Sequence, residues 1–182
     1  MKYEEKLVQE INNPDGYLWW QDSTPLSSLD GVAEDFLVKN NIESRIAALF
    51  IYQQLSEEIL KLIARYCDLI IRASLYPIKL TTTLNLDNKK FSEARGYIQN
   101  SIEFLNKSKL LSEIEKLNDL RNTYGHDLIN NYSKVFSNTE LSNLDDLYKS
   151  ILSLFHSSTQ WFYKEIKRLR QKQEIKDLID KY

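Results

Sequence analysis

The chain has 182 residues, of which 42% are apolar and 27% are charged, and its net charge is −2, as in an ordinary globular protein. This length is enough to bury a core in one domain, and four glycines and three prolines are too few for the many turns of an all-β fold. The net charge disfavours tight, sequence-independent binding to long nucleic acid, although a local basic patch can still hold a few phosphates.

The sequence also indicates where in the cell the protein is located. No basic segment followed by an apolar one opens the chain, and charged or amide side chains interrupt every apolar run before it reaches membrane-spanning length. The single cysteine, Cys67, has no intramolecular disulfide partner and lies in an apolar helical run, which favours a small core residue over a nucleophile. We therefore expect a cytoplasmic protein with no secretory signal and no membrane segment.

The N-terminal part of the sequence predicts two short helices. Residues 2–12 are amphipathic and end at the turn cluster Asn12-Asn13-Pro14-Asp15-Gly16. An aromatic group at 17–20 follows, and core packing explains it better than a surface contact does. Thr24-Pro25 resembles an N-cap with proline at the first helical position, which predicts a helix over about residues 25–38.

The longest predicted helix runs from about Ile42 to Tyr76 and ends before Pro77. Apolar residues recur there at three- and four-residue spacing, which is typical of a helix with one buried stripe. The stripe consists of Ile46, Leu49, Phe50, Leu55, Ile59, Leu62, Ile63, Tyr66, Leu69, Ile70 and Ala73.

Two further helices are predicted between about residues 88 and 124. Residues 80–86 alternate weakly in polarity, and we expect a loop there rather than a strand. The first helix covers about 88–105, with Phe91, Ala94, Ile98, Ile102 and Leu105 on one face, and Asn106-Lys107-Ser108 breaks its register. The second covers about 109–124, using Leu110, Ile114, Leu117 and Leu120.

The last predicted helix starts at Ser137-Asn138-Thr139-Glu140, which matches a capping box. It continues through Leu141, Leu144, Leu147, Leu154, Phe155, Trp161 and Phe162. From Lys164 to Lys176 the pattern turns basic, which indicates a solvated helical face more often than a phosphate-facing patch. The sequence thus predicts an all-α helical bundle of about four main helices in one domain over 1–182. Its core lies at about 40–170, with short N-terminal helices and a basic C-terminal extension.

Candidate chemistry is concentrated in Leu120-Arg121-Asn122-Thr123-Tyr124-Gly125-His126-Asp127. A guanidinium can hold a phosphate with a planar fork of donors, and a histidine moves protons near neutral pH. In a continuous helix Arg121 and His126 are about 140° apart around the axis, so they would not share a face. Because glycine readily adopts the left-handed conformation that ends helices, we expect Gly125 to end this one, which would turn His126 back toward Arg121.

The spacing alone leaves a structural alternative open, in which Arg121 pairs with Asp119 or Asp127 and His126 caps a helix end. In the chemical alternative, the residues suit metal-free RNA cleavage, in which the ribose 2′-OH attacks the neighbouring phosphate. His126 would act as base or acid, Arg121 would clamp the phosphate, and Asn122 would bind a phosphate oxygen or orient His126. A single histidine does not comfortably fill both proton-transfer roles, but two copies in a homodimer would supply the second.

The segment from Leu117 to His126 resembles the signature of the HEPN superfamily, in which a short spacer with a polar first residue separates Arg from His. The helix order is also similar over roughly residues 40–170. The resemblance implies a helical homodimer whose motifs face each other and a metal-independent ribonuclease without a cofactor. Its catalytic residues would be Arg121 and His126, with Asn122 assisting. It further implies RNA as substrate, a role in toxin–antitoxin or phage-defence systems, and an antitoxin or regulatory protein as partner.

One position departs from the family. HEPN toxins that are paired with a nucleotidyltransferase have a tyrosine two positions after the histidine, where this chain has Leu128, and the next tyrosine is Tyr132. HEPN-like domains also include inactive members, so a catalytically inactive regulatory or protein-interaction module is the alternative function. Other candidates are weaker: His156 lacks metal ligands at helical spacing, and the adjacent acidic pairs Glu57-Glu58 and Asp145-Asp146 point in different directions on a helix.

Overall fold

The computed structural model describes residues 2–14, 24–39, 41–80, 90–126 and 139–182. Within these ranges it contains seven α-helices, one 3-10 turn and no strand, which confirms the predicted all-α fold. The helices are α1 Tyr3–Asn12, α2 Thr24–Val38, α3 Ile42–Leu75, α4 Phe91–Gln99, α5 Lys107–His126, α6 Leu144–Leu169 and α7 Gln173–Lys181, and the 3-10 turn is Thr139–Asn143. None of these helices is both long enough and apolar enough to cross a membrane.

The long helix α3 closely follows the prediction. The Asn41 side chain accepts a hydrogen bond from the backbone N–H of Ser44 at 2.8 Å and so caps the first turn, and the helix ends before Pro77. Nine of the predicted stripe residues are buried: Leu49, Leu55, Ile59, Leu62, Ile63, Tyr66, Leu69, Ile70 and Ala73. Phe50 is an exception, because 39% of its surface is exposed, so its predicted core position is wrong.

The chain divides into two compact units, and residues of both α3 and α6 contribute to each. The first unit comprises Met1–Trp20, Leu60–Lys107 and Ser157–Tyr182, and the second comprises Gln21–Ile59 and Ser108–His156. The single domain expected over 1–182 remains a prediction.

In the first unit, a buried ion-pair network joins α1 to α3. Arg72 is 4% exposed; its Nε donates to Asp68 Oδ2 at 2.7 Å and its Nη2 donates to Glu10 Oε2 at 2.6 Å. The rings of Tyr66 and Phe162 stack with their centroids 5.0 Å apart. The two carboxylate partners offset the desolvation cost of burying this guanidinium.

Helix α4 is shorter than the predicted helix over 88–105. It ends at Gln99, and Ile102 and Leu105 lie outside it, with Leu105 50% exposed. The predicted register break is confirmed at Asn106, whose φ of 65° is left-handed, a conformation that asparagine tolerates better than most residues. The Asn106 side chain donates to Ser157 Oγ at 2.9 Å, which fixes the turn onto α6 within the first unit.

The C-terminal helices also differ from the prediction. The 3-10 turn occupies the predicted start of the last helix, so α6 begins at Leu144, and Ser137 and Asn138 lie outside the described residues. The basic segment is not one helix, because the chain turns between Leu169 and Gln173. After the turn, α7 packs against α1, and its apolar residues Ile175 and Leu178 are buried.

The second unit contains α5 and the first half of α6. The rings of Tyr52 on α3 and Tyr148 on α6 stack with centroids 3.9 Å apart. Helix α5 begins two residues earlier than predicted, and its Leu110, Ile114 and Leu117 are buried. The aromatic group at 17–20 and the segment 81–86 lie outside the described residues.

Candidate functional site

The predicted site residues Arg121, Asn122 and His126 all lie in the last turns of α5, in the second unit. The expectation that Gly125 ends this helix in the left-handed conformation is wrong, because α5 continues through His126 and no described glycine has a positive φ. A Cβ placed at Gly125 would lie 3.7 Å from Phe50, an ordinary contact. Tyr124 beside it is 1% exposed, so tertiary packing holds the last turn helical against the weak helix propensity of glycine.

The continuous helix determines which site residues share a face. Positions 121 and 126 are about 140° apart around the axis and about 7.5 Å apart along it, so one chain does not place them on one face. Positions 122 and 126 are four residues apart, so only about 40° separates them. Asn122 therefore lies between Arg121 and His126 around the helix; the side chain of His126 is outside the described residues.

Local contacts hold the half-buried side chain of Arg121. Its Nη1 donates to the Oδ1 of Asn122 at 3.0 Å, and its Cζ lies 5.9 Å from the centre of the Phe50 ring. The Nε of Arg121 is buried without a hydrogen-bond partner among the described residues. The structural alternative in which Arg121 pairs with Asp119 is not observed, whereas Asp127 lies outside the described residues.

Within the described part of the chain, most donors of the Arg121 guanidinium have no partner. One Nη bonds to a neutral amide oxygen, and among the described residues no carboxylate neutralises the charge. A guanidinium in this state can still bind an anion in bidentate fashion. Its position is preorganised, because the Asn122 amide and the Phe50 ring restrict its rotamers.

Phe50 is a member of this site that the spacing in the sequence did not reveal. It fits the apolar stripe of α3, and such a stripe indicates burial. In the structure it contacts both the Arg121 guanidinium and the Gly125 position, and it stays partly exposed. An exposed aromatic ring next to a guanidinium is also a surface on which a nucleic-acid base can stack.

A groove of about 850 Å³ lies on another face of α5, within the second unit. Its three carboxylates outnumber its one cation, Lys116, which already pairs with Glu113 at 2.9 Å. A phosphate is repelled by such a surface. The lining residues are Glu113, Lys116, Asp119, Leu120, Thr123, Asn143, Asp146, Leu147 and Ser150.

Among the described residues, the weaker candidates from the sequence form no nucleophile, metal site or carboxylate dyad. Burial raises the pKa of the Cys67 thiol to about 11, which agrees with a core residue rather than a nucleophile. His156 is exposed, and in the described ranges no three His, Cys, Asp or Glu side chains are grouped so that they can hold a metal ion. Asp145 forms an ion pair with Lys149 at 2.6 Å rather than a carboxylate dyad with Asp146.

Comparison with known proteins does not assign the chain to a family. The chain matches no protein-family model, no curated protein and no solved structure. Its candidate function therefore rests on the residues of the site themselves.

Proposed function

We propose that the chain is a metal-independent endoribonuclease of the HEPN type that acts as a homodimer in the cytoplasm. The observation that supports this most is the state of Arg121: its guanidinium is oriented by Asn122 and Phe50, yet no described carboxylate neutralises it. An oriented cation with spare donors suits the phosphate whose charge grows during cleavage. The resemblance of the segment to the HEPN motif adds His126 as the proton-transfer group.

The reaction follows from the chemistry of RNA. A base removes the proton of the ribose 2′-OH, the 2′-oxygen attacks the adjacent phosphorus, and the bond to the 5′-oxygen breaks, which leaves a 2′,3′-cyclic phosphate. Arg121 stabilises the charge on the phosphate oxygens, and Asn122 orients His126 from the preceding helical turn. His126 serves as base or acid, and the second copy supplies the other group.

The helical geometry favours a site that is shared between two copies. Because α5 is continuous, Arg121 and His126 of one chain lie on different faces. In a two-fold symmetric dimer, each contact is repeated, so Arg121 of each copy can meet His126 of the other, and a cleft on the symmetry axis can receive both histidines. A toxin or phage-defence effector, held in check by an antitoxin or regulatory protein, is the biological setting that the resemblance implies.

The activity assay uses purified protein and single-stranded RNA in the presence of EDTA. Wild-type protein is expected to leave 2′,3′-cyclic phosphate ends, and His126→Ala and Arg121→Ala are expected to abolish cleavage while the oligomeric state is retained. Cleavage by His126→Ala at the wild-type rate would contradict the assignment. Thr123→Ala is a matched control on the same helix, because its exposed hydroxyl donates to the Asp119 carbonyl and has no part in the proposed reaction.

Mixing wild-type protein with His126→Ala tests whether two copies share the site. In an equal mixture, random pairing makes about a quarter of the dimers fully wild type and about half of them mixed. If cleavage needs His126 of both copies, only the wild-type dimers are active, and the mixture should show about a quarter of the activity of the same total amount of wild-type protein. Activity of about half would mean that each chain cleaves RNA by itself.

A catalytically inactive HEPN-like module is the second candidate, and one observation favours it. Among the described residues, Arg121 contacts only its own helix and Phe50 on α3, so the arginine can serve to hold α5 against α3 within the second unit. This candidate predicts no cleavage at any protein concentration and a clear loss of stability when Arg121 is removed.

A further inference from the structure

The turn between α6 and α7 forms a small basic groove in the first unit, which we call the α6–α7 groove. Its volume is about 400 Å³, and it is lined by Lys167, Arg170, Gln171, Lys176, Ile179 and Asp180. The groove exists because the basic segment is not one straight helix: the break after Leu169 brings cations from α6, the turn and α7 around one depression. In an unbroken helix Lys167 and Lys176, nine residues apart, would lie on opposite sides of the axis.

The three cations of this groove are not neutralised by the described part of the chain. Lys167, Arg170 and Lys176 are exposed, and none forms an ion pair there. Nearby cations differ: Arg168 pairs with Glu165 at 2.8 Å, and Lys172 donates to the carbonyl of Ser74. Three cations without a carboxylate partner in the described part of the chain therefore line one depression.

One carboxylate, Asp180, also lines the groove without pairing with a described cation. It lies four residues after Lys176, a spacing at which a lysine and an aspartate on a helix often pair. Three cations against one carboxylate still leave a positive surface, and a ligand with more than one negative charge gains most from it. The Gln171 amide adds a neutral donor and acceptor, and Ile179 adds a small apolar contact.

The structure favours a nucleic-acid backbone over a lipid surface. A basic helix that binds membranes inserts an exposed apolar face between the lipid headgroups. The apolar face of α7 is already used, because Ile175 is 1% and Leu178 is 2% exposed. A polyphosphate backbone needs only the cations and polar groups that the groove presents.

We propose that the α6–α7 groove binds the phosphates of single-stranded RNA through Lys167, Arg170 and Lys176. The inference rests on the proposed ribonuclease function, for which it supplies a substrate-binding site in the first unit, whereas Arg121 lies in the second. It also agrees with the net charge of −2, because three clustered cations can bind phosphates without an excess of positive charge over the whole protein.

The test measures binding separately from cleavage. A fluorescently labelled single-stranded RNA with 2′-O-methyl groups cannot undergo 2′-OH attack, and its binding to the full-length protein is followed by fluorescence anisotropy over a series of salt concentrations. The variant Lys167→Gln/Arg170→Gln/Lys176→Gln should bind more weakly, and its salt slope should fall by about 2, since each lost single-strand contact removes about 0.7. The matched control Lys2→Gln/Lys39→Gln/Lys109→Gln changes the net charge equally at exposed lysines outside the groove.

A gain-of-function variant makes the test two-sided. Asp180→Asn removes the carboxylate from the groove and should tighten binding of the same RNA, whereas Asp35→Asn, at an exposed position outside the groove, should not. Thermal melts of all variants verify that they fold.

The outcomes separate this inference from the proposed function. If the wild-type protein fails to bind the RNA at low salt, or if the groove variant and the control lose affinity equally, the groove proposal is overturned. If the groove variant loses binding to vesicles of anionic lipid but keeps its RNA affinity, the proposal is likewise overturned. If RNA binds through the groove but is never cleaved, the groove proposal stands and the ribonuclease proposal fails.

Discussion

Replacing Arg121 by methionine separates a catalytic arginine from a structural one. Methionine retains much of the apolar stem that packs beside Phe50 but has no donors and no charge. If Arg121 is catalytic, the Arg121→Met variant should lose the activity and keep the fold. If Arg121 instead holds α5 in place, the variant should lose both activity and stability.

The contacts of Arg121 set the expected size of the effect on stability. The hydrogen bond to Asn122 contributes about 0.5–1.5 kcal/mol, and the contact with the Phe50 ring about 0.5–1 kcal/mol because the site is partly exposed. Methionine also removes the buried Nε that has no described partner, a group whose burial costs about 1–3 kcal/mol. These opposing effects nearly cancel, so we expect the free energy of unfolding to change by no more than about 1 kcal/mol.

The assay combines thermal denaturation with RNA cleavage. For a chain of this length, about 1 kcal/mol corresponds to a shift in Tm of about 2–4 °C. We expect Arg121→Met to melt within that range of the wild type and to cleave no RNA in EDTA. A fall in Tm as large as that of a variant of the buried Arg72 would refute this account of the Arg121 site and would support the inactive module.

Three further predictions concern the two units. Arg72→Ala leaves two carboxylates near the core without their cation, and urea denaturation should show a free energy of unfolding lower by about 3–5 kcal/mol. Arg168→Ala removes an exposed ion pair on α6 and should change this free energy by less than about 1 kcal/mol. Equal effects of the two variants would contradict the role of burial. Burial and the neighbouring Glu34 raise the pKa of Asp30. The contribution of Asp30 to stability is therefore present below its unfolded pKa and is lost as the pH rises through its folded pKa. We expect Asp30→Asn to be more stable than the wild type at pH 7 and the difference to shrink toward pH 4, and a difference that does not change with pH would contradict the raised pKa. The Cys67 thiol should resist a maleimide reagent in the native protein at pH 8 and react once urea unfolds the chain, because it is buried and its pKa is raised to about 11; rapid labelling of the native protein would show that this part of the core opens.

Much of the fold could be read from local patterns. The apolar spacing of α3 and α5 predicted their positions, because a helix must bury one of its faces whatever the partner is. Pro77 and Asn106 marked breaks correctly, since both residues act through their own backbone conformation. These features depend on a few neighbouring residues, which is why the sequence alone predicts them.

The candidate site could be predicted only in part. Its members Arg121, Asn122 and His126 were visible as a motif, but their arrangement was not, because the conformation of Gly125 depends on the buried Tyr124 beside it. Phe50 was missed as a member, since its spacing is that of a core residue. Its exposure and its contact with Arg121 depend on how α3 and α5 pack in the second unit.

By itself, the sequence determined the all-α class, the main helices and the residues of the candidate motif, because helical periodicity, capping and proline effects are local. The tertiary structure decided that α5 continues through His126 and that the basic C-terminal segment turns after Leu169 to form the α6–α7 groove. Both depend on burial of apolar side chains against distant parts of the chain: Tyr124 in the second unit, and Ile175 and Leu178 in the first. The free energy of such burial exceeds the weak preference of a glycine to end a helix or of a basic run to continue one.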